Sequence, residues 1–145
     1  MEFKEIFEGL VELFARSDLS PRINEEMNEI YIHAPLGKIY ENADVFLRFA
    51  KEYFTVEAYV EAVYADEAEM LKLVNMFNFS TDSCTFVLDE KGVWCRTALS
   101  FEGATESLIK KAVYDPMYAL NRFSPAIDGV CRGKDYRTAY EEAFV

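Results

Sequence analysis

The apolar residues of this chain change rhythm, from a period near 3.6 to a period of two and back again, and that alternation confines it to helices laid against a sheet. Between residues 3 and 16, Phe3, Ile6, Phe7, Leu10, Leu13 and Phe14 fall at helical spacing, with Glu2, Glu5, Glu8 and Glu12 mostly off that stripe. An amphipathic helix is expected there, ending near Ser17 and Asp18, because Ser20-Pro21 biases its surroundings away from helical backbone. Three segments then alternate. Ile30 and Ile32 stand among Glu29, Tyr31 and His33; Val45, Leu47 and Phe49 among Asp44, Phe46 and Arg48; Phe54, Val56, Ala58 and Val60 among Thr55, Glu57, Tyr59 and Glu61. These read as three strands. Residues 43–54 can also be written as a helix, whereas 55–60 alternates strictly, and the short link through Lys51-Glu52 favours an antiparallel pair.

Asp66 is placed to cap a second helix, with Glu69 three residues on and Met70, Leu73, Val74 and Phe77 as its buried stripe. Cys84, Phe86 and Leu88 then share a face with Val93, Cys95, Thr97 and Leu99 across Asp89-Glu90-Lys91-Gly92, a hairpin whose turn glycine is expected at positive φ. Thr105 opens a third helix with Leu108, Ile109, Ala112 and Val113 inward; Pro116 either kinks it or begins a new segment capped by Asp115, and Met117, Leu120 and Phe123 continue the stripe. A further turn is expected at Pro125, with Gly129 and Gly133 ending one helix and Asp135 capping a last one that carries Tyr136, Ala139, Tyr140 and Ala143. The expectation is an α+β fold in the order α-β-β-β-α-β-β-α, an antiparallel sheet with helices packed on one face, forming a single domain over residues 1–145.

Composition narrows the partners. With 51% apolar and 15% aromatic residues the chain exceeds what a disordered segment carries, and its length supports one core without metals or disulfides. Fifteen basic against 26 acidic residues leave a net charge of −11, which repels phosphate backbones and anionic lipid, so neither nucleic acid nor a membrane is expected as partner. The carboxylates are spread along the chain, as on a solvated surface or an acidic face for a basic client. The start lacks the basic region of a secretory signal, and no apolar run reaches the roughly 18 residues of a membrane span. Cys84, Cys95 and Cys131 are odd in number and form no C-x-x-C pair, which fits reduced thiols acting as small buried hydrophobes in a cytoplasmic protein.

No pattern asks for catalysis. His33 stands alone, without a second histidine or a cysteine pair to hold a metal, and reads as a surface or edge residue. Gly129 to Lys134 resembles a phosphate loop with three intervening residues where four are needed, and Asp135 stands where Ser or Thr would bind Mg²⁺. Glu57 with Glu61, and Asp66 with Glu69, read as exposed-face and capping residues rather than an acid–base pair. Asn78-Phe79-Ser80 matches a glycosylation sequon that has no meaning without secretion. No catalytic residue, cofactor or metal ligand is therefore expected. The strand positions opposite the core do carry Tyr31, Phe46, Tyr59 and Trp94, more aromatic surface than a wet sheet face needs; either a loop or terminus covers them, or they bind a partner.

The second half, from Glu69 to Ala143, resembles the YbjN-like family of small bacterial regulators. The resemblance rests on Leu73-Val74-Asn75-Met76-Phe77-Asn78-Phe79, close to the family's N-x-x-N motif before a hairpin, on Phe86-Val87-Leu88-Asp89-Glu90-Lys91-Gly92-Val93, and on Arg122-Phe123-Ser124-Pro125-Ala126-Ile127 with Gly133 and the closing helix. It implies the fold of type III secretion chaperones, small acidic and usually dimeric proteins, and carries over no catalytic residue. The charged segment 17–28 has no counterpart in it. A non-enzymatic protein-binding or regulatory module follows, a homodimer with a polypeptide client lying on the sheet face; the alternative is a small-ligand sensor with a pocket between helix and sheet.

Overall fold

In the computed structural model, which describes all 145 residues, helix α1 (Phe3–Arg16) leads into strands β1 (Arg22–Asn24), β2 (Glu29–Pro35), β3 (Asn42–Phe49) and β4 (Tyr53–Glu61). Helix α2 (Glu67–Ser80) follows, then the hairpin β5 (Thr85–Leu88) and β6 (Gly92–Ser100), and the helices α3 (Glu106–Cys131) and α4 (Tyr136–Phe144). The strands form one antiparallel sheet in the order β1-β2-β3-β4-β6-β5. The expected α+β order holds, and β1 adds to it at the sheet margin. It pairs only with Glu29, Ile30 and Tyr31, and all three of its residues are exposed, so no alternation announces it.

Strand parity decides residues 42–49. In register with β2 and β4, the segment sends Ala43, Val45, Leu47 and Phe49 inward, and a helix there would scatter them. Helix α1 lays Ile6, Leu10 and Phe14 into the core, each worth roughly 1.5–3 kcal/mol of gross burial. Phe3 and Phe7 sit beside Phe49 with ring centroids 5.5 and 5.1 Å away, although Phe3 itself stays partly exposed. Phe49, Phe54 and Phe101 stack beneath them. At the other end Phe77, Phe86 and Phe123 meet at 4.2 to 5.3 Å, joining α2, the hairpin and α3.

Several expected details are corrected. Helix α3 runs unbroken through both Pro116 and Pro125, with neither a new cap at Asp115 nor a turn at Pro125. Pro125 cannot donate to the carbonyl of Asn121, and the hydroxyl of the fully buried Ser124 donates to it instead at 2.7 Å. Leu108, expected inward, is exposed in the first turn. Gly129 lies inside α3, where a Cβ would come within 2.9 Å of the Cβ of Ala139, so it lets α4 close on α3; Gly133 alone makes the turn, at φ +97°. Gly92 does not adopt positive φ. It opens β6 so close to β4 that a Cβ would stand 2.1 Å from the carbonyl oxygen of Val60.

The helix caps tie elements together. Asp66, Thr105 and Asp135 each accept an N–H from the first turn of their helix, as expected. Glu69 does not complete a capping box. Its carboxylate accepts the N–H of Tyr136 at 2.9 Å, joining α2 to the start of α4. Asn78 seals a sheet edge: its amide donates to the carbonyl of Phe86 at 3.0 Å and accepts the Phe86 N–H at 2.6 Å, the two backbone groups pointing away from β6. The asparagine of the sequon is thus held by the fold. No helix is long and apolar enough to cross a membrane.

Two substitutions test these readings. Asn78→Ala leaves both Phe86 groups unpaired and lowers unfolding stability by about 2–4 kcal/mol, read from the urea midpoint. Gly92→Ala forces β6 off β4 and costs about 3 kcal/mol or more, whereas Gly9→Ala, in open space on α1, leaves the midpoint equal or higher.

Candidate protein-binding face

The pleat that sends apolar residues inward sets their neighbours on the opposite face in two rows. Register aligns Arg22, Tyr31, Phe46, Glu57, Arg96 and Thr85 in one row, and His33, Asp44, Tyr59, Trp94 and Val87 in the other. The structure brings Tyr31, Phe46, Tyr59 and Trp94 together: centroids lie 5.2 Å apart for Tyr31–Phe46, 5.9 Å for Phe46–Trp94 and 4.6 Å for Tyr59–Trp94. The strip crosses β2, β3, β4 and β6. Each of its four residues is half-buried, and Arg48, Arg96 and Val87 beside them are exposed.

Polar groups fix the rings. The Tyr31 hydroxyl donates to Asp44 Oδ1 at 2.5 Å, and His33 Nδ1 lies 3.1 Å from the same oxygen. That hydrogen bond, then burial, raises the Tyr31 pKa. The Trp94 indole N–H donates to Asp89 Oδ2 at 2.6 Å, while Oδ1 accepts the N–H groups of Lys91 and Gly92 at 2.9 Å each. Burial works against ionisation of Asp89, but these three donors outweigh it and hold its carboxyl below the usual range. Tyr59 is raised by burial first, then by the negative charges of Asp89, Glu61 and Asp44.

Charge on the face is organised around arginines. Arg48 bridges Glu29 at 2.9 Å and Glu57 at 3.0 Å with its guanidinium 5.1 Å above the Phe46 ring, and Arg96 approaches Glu57 at 3.8 Å. Arg22 stands 5.8 Å above Tyr31. Glu57 is therefore an ion-pair centre, Glu61 is exposed, and Asp66 and Glu69 bind helix N–H groups; none of these carboxylates faces another as an acid–base pair. The arginines and Asp89 escaped the sequence reading because only cross-strand register shows them next to the rings.

Elsewhere the surface holds shallow clefts. One of about 220 Å³ lies between the end of β2 and α3, lined in part by Leu36, Tyr114 and Met117. That is below the roughly 300 Å³ at which small-molecule sites begin, but a second cleft, of about 650 Å³, opens between the end of β4, the start of α2 and β5, lined in part by Glu61, Leu71 and Leu88, and is the nearest counterpart of the expected pocket between helix and sheet. No three His, Cys, Asp or Glu side chains cluster as metal ligands.

Two of the cysteines are buried as expected, while Cys131, the last residue of α3, is half-buried. Cys84 and Cys95 share the inner face of the hairpin, Cys84 at the wall of a small surface cleft. Hydrogen bonding from the Cys95 thiol, opposed by burial and aided by the Ser83 and Thr81 hydroxyls, lowers Cys84 to about 6. The same bond, together with burial, pushes Cys95 upward.

No family model and no curated protein sequence matches the chain. Solved structures do. A chain in the crystal structure of the ExsC–ExsE complex aligns with a TM-score of 0.62 at 17% identity, over 84% of this chain and 96% of that one. YbjN from E. coli, described as a candidate transcription regulator, aligns with a TM-score of 0.55 at 11% identity, over 81% and 90% of the two chains. The fold is YbjN-like and secretion-chaperone-like, as the resemblance implied.

The Cys84 assignment predicts a pH profile. Below its lowered pKa the thiol is protonated and inert, so alkylation by iodoacetamide rises with a midpoint near pH 6, against roughly 8.5 for an ordinary thiol. Peptide mass spectrometry of the three thiols reads it, and Cys95→Ala, which removes the donor, moves the midpoint upward.

Proposed function

We propose that this chain is a non-enzymatic protein-binding module of the chaperone-like kind, a cytoplasmic homodimer whose outer sheet face receives a polypeptide partner. The observation that carries this reading is the continuous aromatic strip of Tyr31, Phe46, Tyr59 and Trp94, left uncovered by the helices on the far side of the sheet. Aromatic clusters ringed by arginine are the composition of interface centres, where removal of one anchor costs about 2 kcal/mol or more. The ExsC–ExsE structure, a complex in which one chain has this fold, supports a polypeptide partner; YbjN supports a regulatory setting.

On this reading two copies mate through the helical side. There Tyr114 and Tyr118 stack at 6.0 Å on α3, Tyr118 with 67% of its surface exposed. The outer face then stays free for the client. A sensor of small ligands has less support, since the larger cleft beside α2 is open to solvent and lined by Glu61, Glu67, Asp89 and Glu90 as much as by apolar groups.

The test is a double substitution, Tyr59→Ala with Trp94→Ala, in a fold whose core those residues do not enter. The polypeptide that co-purifies with the native chain is expected to bind the variant at least about 30-fold more weakly, with the oligomeric state from light scattering unchanged. Undiminished client binding by the variant sinks the proposal, and a loss of dimer with client binding intact moves the strip to the subunit contact.

A further inference from the structure

Cys84 and Cys95 form a pair of nucleophilic groups on the side of the sheet away from the aromatic strip. Phe86 pairs with Cys95 and Thr85 with Arg96, so Cys84 stands one residue before the ladder, diagonal to Cys95 and on the same face. The two thiols are hydrogen-bonded to each other. Their access differs. Cys84, 8% exposed, forms part of the wall of a surface cleft of about 340 Å³, whereas Cys95 is fully buried at 0%. The hydroxyls of Ser83 and Thr81 lie 3.8 and 3.9 Å from the Cys84 sulfur. The bond from Cys95, opposed by burial and aided by these hydroxyls, leaves Cys84 largely ionised at neutral pH. The charges of α3 that reach it, Lys111 and Asp115, are ion-paired with each other. Cys131 is more open, yet burial, then the charge of Asp128, raises the pKa of its thiol.

We infer that Cys84 is a hydroperoxide-reactive thiol with Cys95 as its resolving partner, the pair closing into a disulfide at the start of the hairpin. In the first step the Cys84 thiolate attacks a peroxide oxygen: the S–O bond forms, the O–O bond breaks, and the departing hydroxide takes up the proton that Cys84 had given to solvent. Cys84 is then a sulfenic acid. That step also removes the thiolate that holds the Cys95 proton in place. The Cys95 sulfur next attacks the Cys84 sulfur; the S–S bond forms, the S–O bond breaks, and the departing hydroxide leaves as water with the Cys95 proton. Two thiols and one hydrogen peroxide thus give one disulfide and two waters. Diagonal strand neighbours stand about 7–8 Å apart, just beyond the backbone span of a disulfide. Cys84 precedes β5, in a segment that no strand pairing holds, so residues 81–84 supply the small shift.

Trypsin separates the three cysteines, since Lys72, Lys91, Arg96, Arg122 and Arg132 place them on peptides 73–91, 92–96 and 123–132. The reduced full-length chain is treated at neutral pH with an equivalent of hydrogen peroxide, its remaining thiols are blocked with iodoacetamide in urea, and the digest is weighed without reduction. Peptides 73–91 and 92–96 are expected joined and two hydrogens lighter, with Cys131 alkylated, and dithiothreitol releases them. Cys84 is expected to react at least about tenfold faster than Cys131. In Cys95→Ala the link is lost and excess peroxide carries Cys84 on to the sulfinic acid; in Cys84→Ala, Cys95 stays reduced. The urea midpoint checks that each variant is folded, and the link itself is read on the native chain, so a variant that fails to fold does not decide the outcome. Oxidation of Cys131 ahead of Cys84 overturns the inference. So does sulfinic acid at Cys84 of the native chain without the link, a link from Cys84 to Cys131 or to a second chain, or thiols that all stay reduced at a dose that oxidises free cysteine.

Discussion

The nine-residue register between β4 and β6, from Tyr53 opposite Ser100 to Glu61 opposite Gly92, joins the two halves of the chain. Everything before it is a meander that could form locally, and everything after it is a hairpin with helices. Only this pairing, made after α2 has crossed the inner face, converts them into one sheet with one core. It brings Tyr59 opposite Trp94 on the outside and Ala58 opposite Cys95 on the inside, so the core and the aromatic strip are set by the same parity. A slip of one residue would exchange the two faces. Gly92 protects against that slip, since its position at the end of β6 is the one where β4 comes too close for a side chain.

The outer face is not a leftover of core formation. Its rings are held at their polar edges by Asp44 and Asp89, and Arg48 spans Glu29 and Glu57 across three strands. Such a network keeps the side chains in place, and on the proposed function that reduces the ordering cost of association. It also offers the surface two characters, with cation-covered rings toward β2 and β3 and bare rings bordered by carboxylates toward β4 and β6.

Much of this was legible in the residues because a period of two names both faces at once. The apolar positions of β2, β3 and β4 place Tyr31, Phe46 and Tyr59 opposite them without further information, and the hairpin does the same for Trp94. What escaped depends on contacts distant in sequence or on a side chain acting for the backbone. β1 has no buried residue and is a strand only because β2 lies beside it. Pro125 looks like a helix end until the Ser124 hydroxyl is seen serving the carbonyl it orphans. Gly92 looks like a turn glycine, but its constraint comes from Val60 on another strand. Leu108 fits the stripe of α3 by spacing, yet in the first turn it lies beyond the edge of what the helix covers.

The amide of Asn78 occupies the β5 side of the sheet, while on the far side β1 covers only the first three residues of β2 and leaves Ile32 to Pro35 paired with β3 alone. The two margins are therefore unequal, one backed by a side chain and the other partly bare. A single asparagine thus stands in for a strand at one margin, where bare backbone in a sheet rich in aromatic residues would invite pairing with another chain.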